Sequence, residues 1–311
     1  MYATTPGYLR ERLCTSANRL VGRARWPSVI AASRSVFQPM SRRVFPSESC
    51  VVADVMPSPN FGERKDGRRP DMIVLHYTGM LDAATALERL RTPASQVSSH
   101  YFVFEDGRVI QLVPETKRAW HAGVASWAGE TDINSCSIGI EIANPGHEFG
   151  YRDFPRRQIA AVTALCRGIL TRNTIAPPRV LGHSDVAPAR KQDPGEKFPW
   201  RILHDSGVGH WVKPAKITDG PLLALGDRSD AVVAVQRSLA EYGYGIAESG
   251  TYDSTTHEVV TAFQRHFRPE RIDGVWDAST RATLQELLVH RNRPRTVAAR
   301  VINFDRLVVA S

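Results

Sequence analysis

Four segments of this 311-residue chain close on ionisable side chains whose types could do hydrolytic chemistry. His76 follows Met72-Ile73-Val74-Leu75, Glu141 lies in Gly139-Ile140-Glu141-Ile142-Ala143-Asn144, His183 follows Val180-Leu181-Gly182, and Lys191 stands two residues before Asp193 in Arg190-Lys191-Gln192-Asp193-Pro194. Residues at strand ends gather on one rim of a sheet even when they are distant in sequence. Two histidines and one carboxylate are a usual protein set for a catalytic zinc ion, the fourth place being left for water. Zinc lowers the pKa of water to about 7 and polarises a carbonyl. A further carboxylate can take the proton, and a lysine can stabilise the developing oxyanion. The set describes metal-assisted amide hydrolysis. Spacing alone leaves plainer readings open: ten histidines make a pair easy to find, and no His-Glu-x-x-His signature is present. Glu141 could equally be a solvated edge carboxylate and Lys191 ordinary surface charge.

The elements that must position these groups follow from apolar spacing. Met72–Leu75 is a short continuous apolar run, as expected of a buried strand. Leu81, Ala84, Leu87 and Leu90 have helical spacing, and Tyr101–Phe104 and Val109–Val113 predict two strands joined by a hairpin at Asp106-Gly107. Ser137 to Ala143 alternates, with Ile138, Ile140 and Ile142 on one face and Gly139 and Glu141 on the other. Ile159, Val162, Cys166 and Ile169 form one stripe of an amphipathic helix, which makes Cys166 a core residue. Arg179–Gly182 is a strand that delivers His183. Strands mixed with helices in this order predict an α/β fold, a mixed β-sheet flanked by helices, over residues 57–211.

A linker is expected at 212–221, rich in Pro and Gly, and a small all-α three-helix unit at 222–290. Within that unit Gly250-Thr-Tyr-Asp253-Ser-Thr-Thr256 recurs 24 residues later as Gly274-Val-Trp-Asp277-Ala-Ser-Thr280, each Asp placed as a helix N-cap with Thr at the third helical position. Stripes Val232/Val235/Leu239, Val259/Phe263/Phe267 and Leu284/Leu287/Leu288 supply the helices.

The formal charge of +8 invites an anionic partner until it is located. Eight arginines face two glutamates in residues 1–50, and five arginines face Asp305 in 291–311, so residues 51–290 carry −2. A nucleic-acid-binding face is not expected there. Residues 1–56 are expected to be a basic extension outside the fold, with translation starting at Met1, Met40 or Met56, and 291–311 a basic tail. No apolar stretch approaches the roughly 20 residues needed to cross a bilayer. Four cysteines (14, 50, 136, 166) form no CxxC pair and define no disulfide framework.

Five motifs in order, IVLHYTG, SSHYFV, KRAWHAG, SIGIEIAN and GHSDVAPARKQDPGEKFPW, resemble the zinc-dependent type 2 N-acetylmuramoyl-L-alanine amidases, relatives of anhydro-muropeptide amidases and peptidoglycan recognition proteins. The resemblance implies that His76, His183 and Asp193 are zinc ligands, that Glu141 is the catalytic carboxylate, and that Lys191 assists it. It also puts His121, Asn144 and Arg190 near the substrate cleft. The segments VVAVQRSLAEYGY, TAFQRHF and DGVWDASTRATL are similar to the three-helix peptidoglycan-binding domain attached to cell-wall hydrolases. The implied reaction is hydrolysis of the amide between N-acetylmuramic acid, ordinary or 1,6-anhydro, and L-alanine of the stem peptide, by a monomer acting on peptidoglycan or muropeptides. A non-catalytic peptidoglycan-recognition protein on the same fold is the competing reading, although such relatives typically lack a ligand that is present here. A protein-interaction role is the alternative for the C-terminal unit. Wall binding favours the envelope, while no readable signal peptide or lipobox favours the cytoplasm. Trp120 and Trp127 are candidates for cleft walls, with core burial expected for at least one.

Overall fold

The structure, a computed structural model, describes residues 45–291; Cys14, the alternative start at Met40 and the basic tail beyond Arg291 lie outside them. Strands β1 (Val52–Val55), β3 (Met72–Tyr77), β4 (Tyr101–Val103), β5 (Val109–Gln111), β7 (Ser137–Ile142) and β8 (Val180–Gly182) form one sheet in the order β1-β5-β4-β7-β3-β8. All neighbours are parallel except β4 and β5, so the sheet is mixed, as the alternation of elements predicts. β2 (Phe61–Glu63) and β6 (Lys117–Ala119) pair separately. The β4–β5 hairpin turns at Gly107, whose positive φ of 86° suits glycine.

One face of the sheet, with Ile73, Leu75, Ile138, Ile140 and Ile142, is covered by helix α3 (Arg156–Arg172) through Ile159, Val162, Cys166 and Ile169, the stripe expected from the sequence. The opposite face carries Met72, Val74 and His76 on β3 beside Ser137, Gly139 and Glu141 on β7. Helix α1 (Ala83–Arg91) packs beyond β4 on that side through Ala86, Leu87 and Leu90. The expected stripe began at Leu81, but Leu81 is 73% exposed. Asp82 accepts from the Thr85 N–H at 2.7 Å and caps the helix, so Leu81 falls outside it. Short helices α2 (Ile133–Cys136), α4 (His183–Val186) and α5 (Trp200–Asp205) complete this unit.

Residues 1–56 do not lie wholly outside the fold. β1 pairs with β5 at the sheet edge, and the Glu48 carboxylate accepts from the Glu115 N–H at 2.7 Å. A four-residue edge strand with mixed exposure, interrupted by Asp54, has too weak a pattern to stand out from a basic extension.

Helices α6 (Asp230–Tyr242), α7 (Ser254–Phe267) and α8 (Ala278–Arg291) form the C-terminal bundle. Asp253 and Asp277 cap α7 and α8, accepting from the N–H groups of Thr256 at 2.8 Å and Thr280 at 2.7 Å, so the sequence repeat is a structural repeat. The bundle does not hang on a free linker. Ser279 donates to the Ala215 carbonyl at 2.7 Å, and Met72, Val74, Leu181 and Trp127 share one continuous core with Val232, Leu239, Tyr244 and Phe263. A bundle of this size buries little on its own, so it shares apolar surface with its neighbour.

Candidate active site

Parallel strands β3 and β7 run in register with His76 opposite Glu141. Period-two alternation puts both side chains on the face away from α3, at the C-terminal ends of their strands. β8 ends one residue before His183, whose turn of helix α4 starts on Gly182. Asp193 returns to the same rim because its carbonyl accepts from the Ser184 N–H at 2.9 Å. Three of the four segments therefore reach this rim as strand ends and the fourth, 190–194, as a loop.

Three donor atoms converge there. His76 Nδ1 lies 2.9 Å from His183 Nδ1 and 3.0 Å from Asp193 Oδ2, and His183 Nδ1 lies 3.1 Å from the same oxygen. All three residues are buried, and together they form a group able to hold a metal ion. The remaining ring nitrogens are anchored. His183 Nε2 faces the Ala122 carbonyl at 3.0 Å, which makes it the N–H and leaves Nδ1 as a free lone pair. His76 Nε2 meets His121 Nδ1 at 3.1 Å, and His121 Nε2 meets Ser137 Oγ at 3.2 Å, which donates to the Ile133 carbonyl. Burial first, and the neighbouring His183 next, push the His76 imidazole down to about 4, so it is neutral at pH 7. Burial pushes the Asp193 carboxyl up, but the two facing imidazoles outweigh it and hold the group well below the usual carboxylate range. Two imidazoles and one carboxylate, turned toward one point, are the donor set that suits a borderline metal ion.

Beside this group opens a cleft of about 610 Å³, whose walls include Trp120, Glu141, Arg190 and Lys191. Glu141 Oε2 is buried with no hydrogen-bond partner, and burial, reinforced by the Asp193 charge and opposed by Lys191, pushes its carboxyl up to about 8. A buried carboxylate oxygen without a partner is costly to the fold. In a cleft, a carboxyl raised this far can exchange a proton close to neutral pH.

The three residues expected near substrate fare differently. His121 does border the cleft, but both its nitrogens are engaged, with His76 and Ser137, so it orients the His76 ring. Its ring lies over Gly139, where a Cβ would come within 2.5 Å. Arg190 borders the cleft and donates to the carbonyls of Ala122 at 2.9 Å and Val124 at 3.1 Å, which pins the loop after His121. Asn144 is buried; its amide donates to the Arg152 carbonyl at 2.8 Å and its Oδ1 accepts from the Gly146 N–H, so it shapes the 144–152 loop, whose Pro145, His147 and Phe149 line the cleft. Trp120 lines the cleft while Trp127 is buried against Tyr242 and Tyr244, one in each of the two expected roles. Sequence reasoning missed Tyr77 and His147, whose hydroxyl and Nδ1 meet at 3.0 Å on the cleft wall. Tyr77 adjoins His76 and could have been suspected; His147 lies in an irregular loop with no spacing signal.

Comparison with known proteins bears on this geometry. The N-acetylmuramoyl-L-alanine amidase family model matches residues 66–196, and a peptidoglycan binding domain model matches residues 228–284. The chain is 36% identical over 236 residues to N-acetylmuramoyl-L-alanine amidase AmiD of Escherichia coli, covering 71% of this chain and 83% of that protein. The chain belongs to this amidase family. Other relatives agree: 1,6-anhydro-N-acetylmuramyl-L-alanine amidase AmpD of Citrobacter freundii is 34% identical over 47% of this chain and 84% of its own length. The solved complex of the Escherichia coli amidase AmiD with anhydro-N-acetylmuramic acid-L-Ala-D-γ-Glu-L-Lys superposes with a TM-score of 0.62 at 33% identity, covering 74% of this chain and 98% of that one. AmpDh3 from Pseudomonas aeruginosa in complex with anhydromuramic pentapeptide gives 0.60 at 34% identity, over 73% and 94%. The mixed sheet is thus the amidase fold, and this amidase carries its ionisable cluster on the rim that the five motifs mark.

Proposed function

We propose that this amidase cleaves the amide between N-acetylmuramic acid, in the 1,6-anhydro form, and L-alanine of the stem peptide. The single observation that carries the reading is the convergence of His76 Nδ1, His183 Nδ1 and Asp193 Oδ2 beside the unpartnered Glu141 Oε2 at the end of one cleft. The relatives of known structure hold anhydromuramyl peptides, which supports the anhydro form. The metal is zinc, held by these three atoms; when bound it supplies a Lewis acid for the carbonyl and acidifies water. Glu141 takes the proton of the attacking water and hands it to the departing alanine nitrogen, work that suits a carboxyl raised toward neutrality. The Lys191 ammonium, whose charge acts on both His76 and Glu141, supports the negative charge that develops on the carbonyl oxygen. His121 and the Ala122 carbonyl keep both imidazoles turned to the centre.

We expect the enzyme to act as a monomer. A wall-binding unit at 222–290 beside an amidase unit at 57–211 supports a location in the envelope. Among the described residues no helix is long and apolar enough to cross a membrane. The test is product release from anhydro-muropeptides alongside metal analysis: one zinc per chain, turnover lost with a chelator and restored by zinc, and free stem peptide as product. A chain that binds muropeptide but releases no peptide would be a recognition protein instead.

A further inference from the structure

The bundle touches the metal centre's own segments through one turn of α7. Asp185 follows His183 by two residues, is fully buried, and ties the α4 turn by accepting from the Gly182 N–H at 2.7 Å. The same Oδ2 lies 2.7 Å from Nδ1 of His266, and Oδ1 accepts from the Tyr244 hydroxyl at 2.8 Å. His266 is clamped in turn by Trp200, stacked at 3.7 Å between ring centres. The adjacent Arg265 lies against Glu196, three residues after Asp193, with Nε 3.6 Å from the carboxylate. That Nε is buried and has no hydrogen-bond acceptor of its own. Glu196 holds His147 Nε2 at 3.1 Å, and His147 reaches Tyr77, the neighbour of His76, as described. Tyr151 stacks on His147 at 4.4 Å and donates to the Pro194 carbonyl at 2.8 Å.

A domain that only tethers the enzyme to the wall needs no buried carboxylate of its partner inside its own packing. Burying Asp185 costs free energy unless every lone pair is met, and the bundle meets it with two donors aimed at the turn that presents His183. Groups behind metal ligands set ligand orientation, and their loss typically weakens metal binding 10- to 100-fold.

We infer that Tyr244, Arg265 and His266 of the C-terminal bundle are positioning residues for the metal centre: through Asp185 and Glu196 they hold the His183 turn and the Asp193 loop in ligating geometry. The inference rests on the reading of His76, His183 and Asp193 as the metal set. The bundle is then part of the hydrolase as well as a wall-binding unit.

The test uses the full chain and its variants His266→Ala, His266→Asn, Tyr244→Phe, Arg265→Ala and, in the bundle groove away from the interface, Arg281→Ala. Zinc affinity is read by competition with a chromophoric chelator, and kcat and KM on a soluble anhydro-muropeptide, for which wall binding is irrelevant. His266→Ala is expected to weaken zinc binding 10- to 100-fold and to lower kcat with little change in KM. Recovery is expected in His266→Asn, whose amide nitrogen can replace Nδ1 as donor, with smaller losses in Tyr244→Phe and Arg265→Ala and none in Arg281→Ala. Should His266→Ala fail to fold, Tyr244→Phe, which keeps the ring and removes one donor, decides the matter. Folded variants that bind zinc as tightly as the unaltered chain overturn the inference. An unaltered chain that binds no zinc overturns the metal-site reading itself.

Discussion

Two glutamines buried in the C-terminal bundle and the glutamate at the cleft rim are treated in opposite ways. In the bundle, Gln236 donates to Ser249, the Thr251 carbonyl and Thr256 and accepts from the Gly250 N–H. Gln264 repeats the arrangement one unit later with Asp273, the Val275 carbonyl and Thr280, accepting from the N–H groups of Asp273 and Gly274. Each amide is fully met, and the repeat is an architectural device. At the rim, Glu141 Oε2 has no partner and three electron-rich atoms crowd within about 3 Å of one another. Satisfied polar groups specify a fold, whereas an unmet carboxylate oxygen that borders a cleft marks a place where a ligand completes the set.

The comparison can be broken most sharply at Glu141. Glu141→Gln is expected to cut turnover by about 10²- to 10⁴-fold while zinc content stays the same, as measured by product release and elemental analysis on one preparation. Turnover within a few-fold of the unaltered chain would make Glu141 as architectural as the glutamines. Gln236→Ala is the counterpart in the bundle: it strands the Gly250 N–H and three acceptors, and about 1–3 kcal/mol of stability should be lost in denaturant unfolding, with kcat on soluble muropeptide kept by the folded fraction.

The pH dependence of the metal-free protein sharpens the contrast. A carboxyl whose folded-state value rises from 4.5 to about 8 keeps a proton that the unfolded chain has lost between those values. Its burden on the fold is therefore absent at low pH and grows as pH rises through about 8. Glu141→Gln removes that burden, so the variant's gain in Tm over the unaltered chain should be larger at pH 9 than at pH 5; equal gains at both would show that the carboxylate is already met. The smallest effect is expected at a repeated cap: Asp253→Ala should cost about 1 kcal/mol in thermal or denaturant unfolding, without a change in metal affinity.

Much of this was legible along the chain because it depends on near neighbours. The Asp106-Gly107 turn, the isoleucine face of β7, the α3 stripe and the paired Asp–Thr caps are each decided within a few residues. The metal-site residues were legible as types at strand ends, and the family motifs selected them. For Asn144 the motif records that a residue matters without saying how, and only the structure shows its side chain bonded within its own loop. β1 was missed because an edge strand needs only one side to pair, and four residues with mixed exposure carry little periodic signal.

By itself the sequence determined the central strands, the long helices, and the supply of two imidazoles, two carboxylates and a lysine to segments that could share one rim. Only the tertiary structure decided that His76 and Glu141 stand opposite each other on neighbouring parallel strands, since strand order and register depend on contacts between distant segments. It also decided that both histidines present Nδ1, because the choice of nitrogen is made by what the other nitrogen touches. The joining of bundle and hydrolase across Asp185 is of the same kind: a carboxylate excluded from water must be met by whatever donors the packing brings, and those come from residues 59 and 81 positions away.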